Sequence, residues 1–491
     1  MSALDPNGPR DLDVVIVGAG FSGLCMAIQL RLAGVTEFVV LEKAGSVGGT
    51  WRDNTYPGAA CDIPSHLYSF SFEQNPGWTR AYPLQAEIQQ YLERCADKYG
   101  VRPHLRLHAE VESAEYDEAS GRWTVRTRGG DEYRARALVL GNGALHLPAY
   151  PDIPGLSQFA GKSFHSARWD HDYNLSQKTV AVIGTGASAI QFVPQIAPLV
   201  KRLHLFQRTP AWITPKPDHP IGPAARNAYA RVPALQRLVR SRLYWQHEAR
   251  ALAFLHPQVM RLVEPLALRH LARQVPEPEL RARLTPDYRM GCKRILLSND
   301  FYPAMRRANV ELVTDPIERV EPTGLRTRDG VLRDVDAIIF GTGFRATEYL
   351  SALRIVGLDG RELNEYWRGT PQTYLGITVA GFPNLFLLMG PGTGLGHNSM
   401  IFMIEAQVRY ARQCILALRE RRLRALDVRP EVQRAYSDDL RERLGDTVWA
   451  SGCKSWYQTA DGSASALWPG STVTYWLRTR QLNLRDYQLV A

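Results

Sequence analysis

No two of the six cysteines are close enough in sequence to form a CxxC pair. Cys25, Cys61, Cys95, Cys292, Cys414 and Cys453 are scattered, which speaks against both a zinc knuckle and a dithiol redox motif. Long apolar runs are missing as well, since no stretch approaches the roughly 18 residues that span a bilayer. The first ten residues, MSALDPNGPR, are polar and lack the apolar region of a secretion signal. Short-period repeats and low-complexity tracts are also missing. Lysine is scarce: of 59 basic residues only those at 43, 98, 162, 178, 201, 216, 293 and 454 are lysine. Together these absences lead us to expect a cytoplasmic protein with no stable membrane insertion.

What is present is an ordinary globular composition, 491 residues of which 45% are hydrophobic and 22% charged. At about 150 residues per domain the length predicts two or three cores. The net charge of +10 raises nucleic acid or an anionic membrane as a partner. That reading needs clustered charge, whereas arginines and acids alternate along most of the chain. An arginine-rich enzyme with no nucleic-acid partner is expected instead.

Asp13-Val14-Val15-Ile16-Val17 is a short apolar run that reads as a buried parallel strand. Gly18-Ala19-Gly20-Phe21-Ser22-Gly23 follows at once, then helix formers from Leu24 to Ala33, then Phe38-Val39-Val40-Leu41 ending in Glu42. Strand, GxGxxG, helix, strand and acid make up a dinucleotide-binding unit. Gly18 allows the tight turn, Gly20 lets backbone N–H groups approach a pyrophosphate, and Gly23 allows close helix–strand packing. Glu42 stands where a carboxylate accepts hydrogen bonds from ribose hydroxyls.

A second unit begins at Thr179. Val180-Ala181-Val182-Ile183 is the strand, Gly184-Thr185-Gly186-Ala187-Ser188-Ala189 the turn, and Leu203-His204-Leu205-Phe206 the next strand. It ends in Gln207-Arg208-Thr209 rather than an acid, and an arginine there favours a 2′-phosphate. The economical reading is FAD at the first site and NADPH at the second. Apolar strands running into Gly141-Asn142-Gly143 and Gly341-Thr342-Gly343-Phe344 close the two halves. Pro148, Pro151 and Pro154 mark a linker between them.

Two longer patterns carry a family resemblance. One is Phe159-x-Gly161-x-x-x-His165-x-x-x-Trp169-Asp170; the other is Gly48-Gly49-x-Trp51, Tyr56-Pro57-Gly58 and Asp62. Both resemble the fingerprints of type I Baeyer–Villiger monooxygenases, with every fixed position filled. The stretch Gly394-Leu395-Gly396-His397-Asn398-Ser399, followed by Glu405 and Gln407, is similar to the hydroxyacetophenone-oxidising branch of that family. The resemblance implies a cycle in which NADPH reduces FAD, dioxygen adds to the flavin C4a, and the resulting peroxide attacks a ketone to give an ester or lactone. Sulfides are implied as further substrates. It also implies that Arg294 is the fixed cation beside the peroxide and that Asp62 positions Arg294. Lys293, with Arg208 and Thr209, would hold the 2′-phosphate. Ser188, Gly184, Gly186 and Gly343 would border NADP, and Gly49 and Trp51 the flavin. Trp456 would close over NADP, or serve as a packing tryptophan. His165 would order the hinge into the NADP domain, and His397 would line the flavin or cap a helix.

The expected fold is α/β, two dinucleotide-binding (Rossmann-like) domains with a helical insert. The FAD-binding domain is expected from residues 1–150 and 376–491, the NADP-binding domain from 151–215 and 316–375, and the insert from 216–315. In the insert, Leu235, Leu238, Val239 and Leu243 share one helical face with Arg237, Arg240 and Arg242 elsewhere, a basic amphipathic helix. Membrane-surface binding is one reading; the expected one is a helical insert of the family with its apolar face inward and its arginines in solvent. Pro233, Pro257 and Pro265 are expected to cut the insert into short pieces. Two alternatives stand beside the main reading. One is a flavin N-/S-oxygenase that makes no esters; the other is a pyridine-nucleotide disulfide reductase, which needs a redox cysteine pair.

Overall fold

Val14, Val15 and Ile16 are fully buried in β1 (Arg10–Val17), as a β-branched strand covered on both faces requires. The computed structural model describes residues 10–348, 350–368, 370–453 and 466–491. Helix α1 (Phe21–Leu32) returns the chain to β2 (Phe38–Leu41), which runs parallel to β1 with Ile16 opposite Val40. On the other side of β1 lies β3 (Glu132–Leu140), also parallel. These strands belong to an eight-stranded sheet that includes Arg354–Val356, paired with Val111–Asp117, and Leu385–Leu387, paired with β3. The first sheet is therefore assembled from both sides of the second in sequence.

The second sheet is five-stranded and wholly parallel. Its strands are β4 (Lys162–His165), β5 (Thr179–Ile183), β6 (Arg202–Phe206), β7 (Val310–Val313) and β8 (Ala337–Phe340), in spatial order β7-β6-β5-β8-β4. Helix α2 (Ala189–Ile196) crosses from β5 to β6. Each sheet has its own apolar core. Two expected boundaries move. Arg354–Val356, placed with the NADP segment 316–375, is an edge strand of the first sheet. Val310–Val313, placed in the insert, pairs with β6 in the second. Strand partnership is a long-range choice that linear punctuation does not mark.

The helical part of the insert is α3 (Pro233–Ala249), α4 (Ala251–Leu255) and α5 (Pro257–Gln274), flanked by Pro223–Arg231 and Pro278–Leu284. Pro233 and Pro257 begin helices, where the missing N–H costs nothing. Pro265 lies inside the 18-residue α5, so it does not cut the segment as expected. The orientation of α3 is also corrected. Leu238 is 67% exposed, whereas Gln236, His247 and Glu248 are buried. The reason is polar docking: Gln236 Nε2 bonds His66 Nδ1 and the Asn75 carbonyl, and Arg240 Nη1 donates to the His66 and Leu67 carbonyls.

The fold also joins two cysteines that lie far apart in the sequence. Cys292 and Cys453 form a disulfide across 161 positions, with Cα atoms 6.2 Å apart. Sequence spacing registers local pairs only. The other four cysteines are buried thiols. Near the C-terminus, α6 (Met400–Glu420) packs on α1, and α7 (Thr472–Thr479) packs on α6. No helix among the described residues is long and apolar enough to cross a membrane.

Candidate active site

The two glycine turns are built alike. Gly18 has φ +93°, and a Cβ there would lie 2.8 Å from the Gly141 carbonyl oxygen; Gly184 has φ +105°, and its Cβ would lie 2.5 Å from that of Gly341. Only glycine relieves both constraints. Each turn feeds a helix, α1 capped by Gly20 and α2 by Ser188, and neither cap supplies a side-chain hydrogen bond to the first turn. The free N–H groups and the helix dipoles therefore suit a phosphate at each end.

The two units differ after their second strands. Glu42 is 4% exposed. It accepts from Ala19 N at 2.8 Å and Ala44 N at 3.0 Å, and it pairs with Arg52 at 3.0 Å. A carboxylate so held fixes the turn and keeps acceptor capacity for a ribose hydroxyl. In the second unit Gln207 is buried and donates to the Arg283 carbonyl, leaving Arg208 and Thr209 on the wall of a cavity. Lys293 lies on the same wall, its ammonium 4.6 Å from the centre of the Tyr288 ring. Burial, and then the Arg208 charge, hold its pKa below the ordinary lysine value. An anion taken up by both cations would remove that repulsion, which is the electrostatic demand of a 2′-phosphate.

The cavity has a volume of 1640 Å³ and runs between the two turns. A site for one small ligand is typically about 300–1,000 Å³, so the space suits more than one. Gly20, Gly49, Trp51, Asp62, Gly184, Gly186, Ser188, Gly343 and Arg294 line it. Arg294 Nη2 donates to Asp62 Oδ2 at 2.5 Å, joining positions 232 residues apart. A bond between two charged groups is both short and directional, and it aims the guanidinium within the cavity. Trp51 Nε1 donates to Tyr68 OH at 3.0 Å, and the two rings meet edge to face.

Sequence reasoning missed the strut that carries Asp62. Gln191 on α2 accepts from Tyr56 OH at 3.0 Å and from Ala60 N at 3.2 Å, and it donates to the Ala60 carbonyl at 3.0 Å. The Asp62 loop is thereby fastened to the second nucleotide unit. Glutamine inside a helix carries no sequence signal for this. Glu248 was missed for the same reason. It is buried and accepts from Asn398 Nδ2 at 2.7 Å and from Thr472 N and Oγ1 at 2.6 and 2.7 Å. Burial opposes its ionisation, but the nearby His397 ring and the hydrogen bonds from Thr472 and Asn398 outweigh that and hold its pKa down to about 2.

The fingerprint residues Phe159, Gly161, His165, Trp169 and Asp170 do not line the cavity; they organise β4. Phe159 and Gly161 touch closely, Trp169 packs on Phe164 and Phe192, and Asp170 pairs with Lys162 at 2.5 Å. His165 lies edge-on to Tyr150 and Phe344, and burial lowers its pKa to about 4. It sits where the linker meets the Gly343 turn. His397 lines the cavity, with Nε2 3.6 Å from Glu248, while Ser399 is the cap of α6. Trp456 lies outside the described residues. No group of three or more metal-ligating side chains occurs among the described residues.

A Baeyer–Villiger monooxygenase of Pseudomonas aeruginosa is 49% identical over 487 residues, which is 99% of this chain and 92% of that protein. The chain belongs to the Baeyer–Villiger monooxygenases. Solved structures agree with that assignment of the monooxygenase. Cyclohexanone monooxygenase from Rhodococcus sp. Phi1, bound to NADP+, is 30% identical and superposes with a TM-score of 0.90 over 99% of this chain and 100% of its own. The protein called OTEMO, in complex with FAD and NADP, is 27% identical with a TM-score of 0.88, covering 98% of this chain and 100% of its own. A family model described as pyridine nucleotide-disulphide oxidoreductase matches residues 15–240 of the monooxygenase, the part that holds both glycine turns.

Proposed function

We propose that this Baeyer–Villiger monooxygenase uses FAD, NADPH and dioxygen to insert one oxygen atom beside the carbonyl of a ketone, giving an ester or lactone, and that it also oxidises thioethers. The Arg294–Asp62 ion pair, set in the cavity between two nucleotide turns, carries this reading. Bound flavin, reduced by NADPH, would supply the two electrons that activate dioxygen, one of whose atoms goes to the substrate while the other leaves as water. The protein must hold that chemistry at a fixed charge and away from water. Arg294 offers a guanidinium that keeps its proton at any working pH, so negative charge developing beside it is stabilised without a proton transfer. Asp62 positions Arg294. Arg208, Lys293 and Thr209 hold the 2′-phosphate, with Ser188 at the pyrophosphate end of α2. Phe254, Met260, Leu395 and Ile404 line the cavity and supply the apolar surface that excludes water and receives the ketone. A cytoplasmic setting fits the NADPH supply that this cycle draws on.

The test is Arg294→Ala. The variant is expected to keep its flavin and to reduce it with NADPH, while ester formation from a ketone falls by about 100-fold or more, the scale of losing an electrostatic stabiliser. Product analysis by gas chromatography beside stopped-flow flavin reduction separates the two. Undiminished ester formation would sink the assignment of Arg294.

A further inference from the structure

The insert presents a surface unlike the rest of the chain. Among the described residues nineteen large apolar side chains are exposed, and nine of them lie between Val232 and Leu268. Residues 223–274 also carry nine arginines, no lysine and two glutamates, a net charge of +7 within a chain of +10. Seven of these arginines (231, 237, 242, 250, 261, 269 and 273) are exposed, and none of the seven is in an ion pair among the described residues. Arginines elsewhere on the surface commonly face an acid, as Arg102, Arg126 and Arg306 do.

The apolar and basic side chains are ordered along the helices. On α3, Leu235, Leu238, Arg242 and Trp245 are all exposed at spacings of three and four, which makes one outward stripe. The inward face of the same helix carries Gln236, Arg240 and Glu248, bonded to the body of the protein, and the buried His247. On α5, Val259, Leu262, Leu266, Arg269 and Arg273 form a second exposed stripe. A helix with its polar side inward and leucine and tryptophan outward lacks an apolar partner. Leu252 on α4 and Val259 on α5 are both exposed and line the large cavity, so the cavity opens at this surface.

We propose that the outer face of α3–α5 docks on an anionic phospholipid surface. The apolar stripes enter the interface between headgroups and acyl chains, and the unpaired arginines meet lipid phosphates. Exposed leucine and tryptophan favour lipid over nucleic acid, whose phosphate backbone would use the arginines alone. Docking in this way sets the cavity mouth against the layer in which apolar ketones dissolve. It does not depend on the oxygenation reading, because binding is measured without turnover.

The experiment is sedimentation of the full-length holoprotein with vesicles of 70% phosphatidylcholine and 30% phosphatidylglycerol, and with phosphatidylcholine alone. The anionic vesicles should bind at least about tenfold more tightly at low salt, with most of that lost at 0.5 M NaCl as exposed charges are screened. Leu238→Asp with Leu262→Asp should lower binding by about tenfold. A second variant, Arg237→Gln, Arg261→Gln and Arg269→Gln, removes partnerless charges and should do the same with flavin content and melting temperature unchanged. Three results would overturn the proposal: no preference for anionic vesicles, unaltered binding by the arginine variant, or tighter binding to duplex DNA than to vesicles. A concentration-dependent dimer that the leucine variant dissolves, without vesicle binding, would assign the face to a second copy instead.

Discussion

The units β1–α1–β2 and β5–α2–β6 share a turn in which a left-handed glycine presses on the glycine carbonyl after a neighbouring strand, Gly18 on Gly141 and Gly184 on Gly341. They diverge at the end of the second strand. One closes with a buried glutamate tied to two backbone N–H groups; the other buries a glutamine and leaves an arginine in the cavity beside Lys293. The two turns thus share a backbone, and the units differ in the charge that follows the second strand, which in the proposed reading separates a flavin dinucleotide from one bearing a 2′-phosphate. Their attachments differ too. Cys292, adjacent to Lys293, is cross-linked to Cys453, whereas the first unit is tied to the C-terminal part of the chain by non-covalent contacts, Arg412 Nη1 donating to Gln29 Oε1 at 2.7 Å and Arg419 pairing with Asp13 at 3.2 Å.

The strongest way to break this comparison is at the turns. Gly23→Ala would set a Cβ 1.8 Å from the Gly18 carbonyl oxygen, and it should abolish flavin retention. Gly184→Ala should leave a yellow protein that NADPH no longer reduces. Absorbance per chain and stopped-flow reduction read the two outcomes, and loss of flavin in both variants would deny the units separate ligands. Next in size, Arg208→Ala or Lys293→Ala should each raise KM for NADPH by about 10- to 150-fold, the worth of about 1.5–3 kcal/mol for a bond to a charged group. KM for NADH should barely move, and parallel losses for both nucleotides would remove the 2′-phosphate from the account.

Cys453→Ser should cost about 2–4 kcal/mol by freeing a long loop in the unfolded chain, visible as a lower thermal midpoint. The smallest effect sharpens a contrast in buried acids. Asp427, beside the first sheet, is pushed up to about 7 by burial, against hydrogen bonds from the Gly381 N–H. The native state therefore holds a proton that the unfolded chain releases near pH 4, and stability falls as pH rises through 7. Asp427→Asn should flatten the midpoint between pH 5 and 8. Glu311, in the second sheet, behaves oppositely. Burial disfavours its charge, yet Arg333 and His204 outweigh that and set it at about 2, so its contribution is present above the ordinary carboxylate range and fades as pH falls toward 2. Glu311→Gln should lower the midpoint above pH 4, by a difference that disappears as pH falls toward 2, and should leave the slope across the Asp427 window unchanged.

Legibility in the sequence followed contiguity. β1, the Gly18 turn, α1 and Glu42 lie within 33 consecutive positions, and the periodicity of that stretch names each element. The same holds for β5, Gly184 and Arg208. The Tyr56–Gln191 strut and the Glu248 clamp join residues 135 and 150 or more positions apart, and nothing local marks a glutamine or glutamate as the partner of a distant loop. Arg294, Asp62 and the bond between them were implied by family resemblance rather than by local pattern, and the fold brings the two side chains together across 232 positions.

The sequence alone therefore determined two dinucleotide units, their opposite charges, and the candidate residues, because β-branched runs, glycine turns and strand-end residues act over a few neighbouring positions. The tertiary structure decided which distant groups meet. The missing CxxC spacing was a true local reading, yet Cys292 and Cys453 bond once the fold brings them within 6.2 Å. Helical periodicity likewise revealed two faces of α3 but not which one is buried. That depended on His66, Leu67 and Asn75 offering hydrogen bonds to Gln236 and Arg240, which turned Leu235 and Leu238 outward.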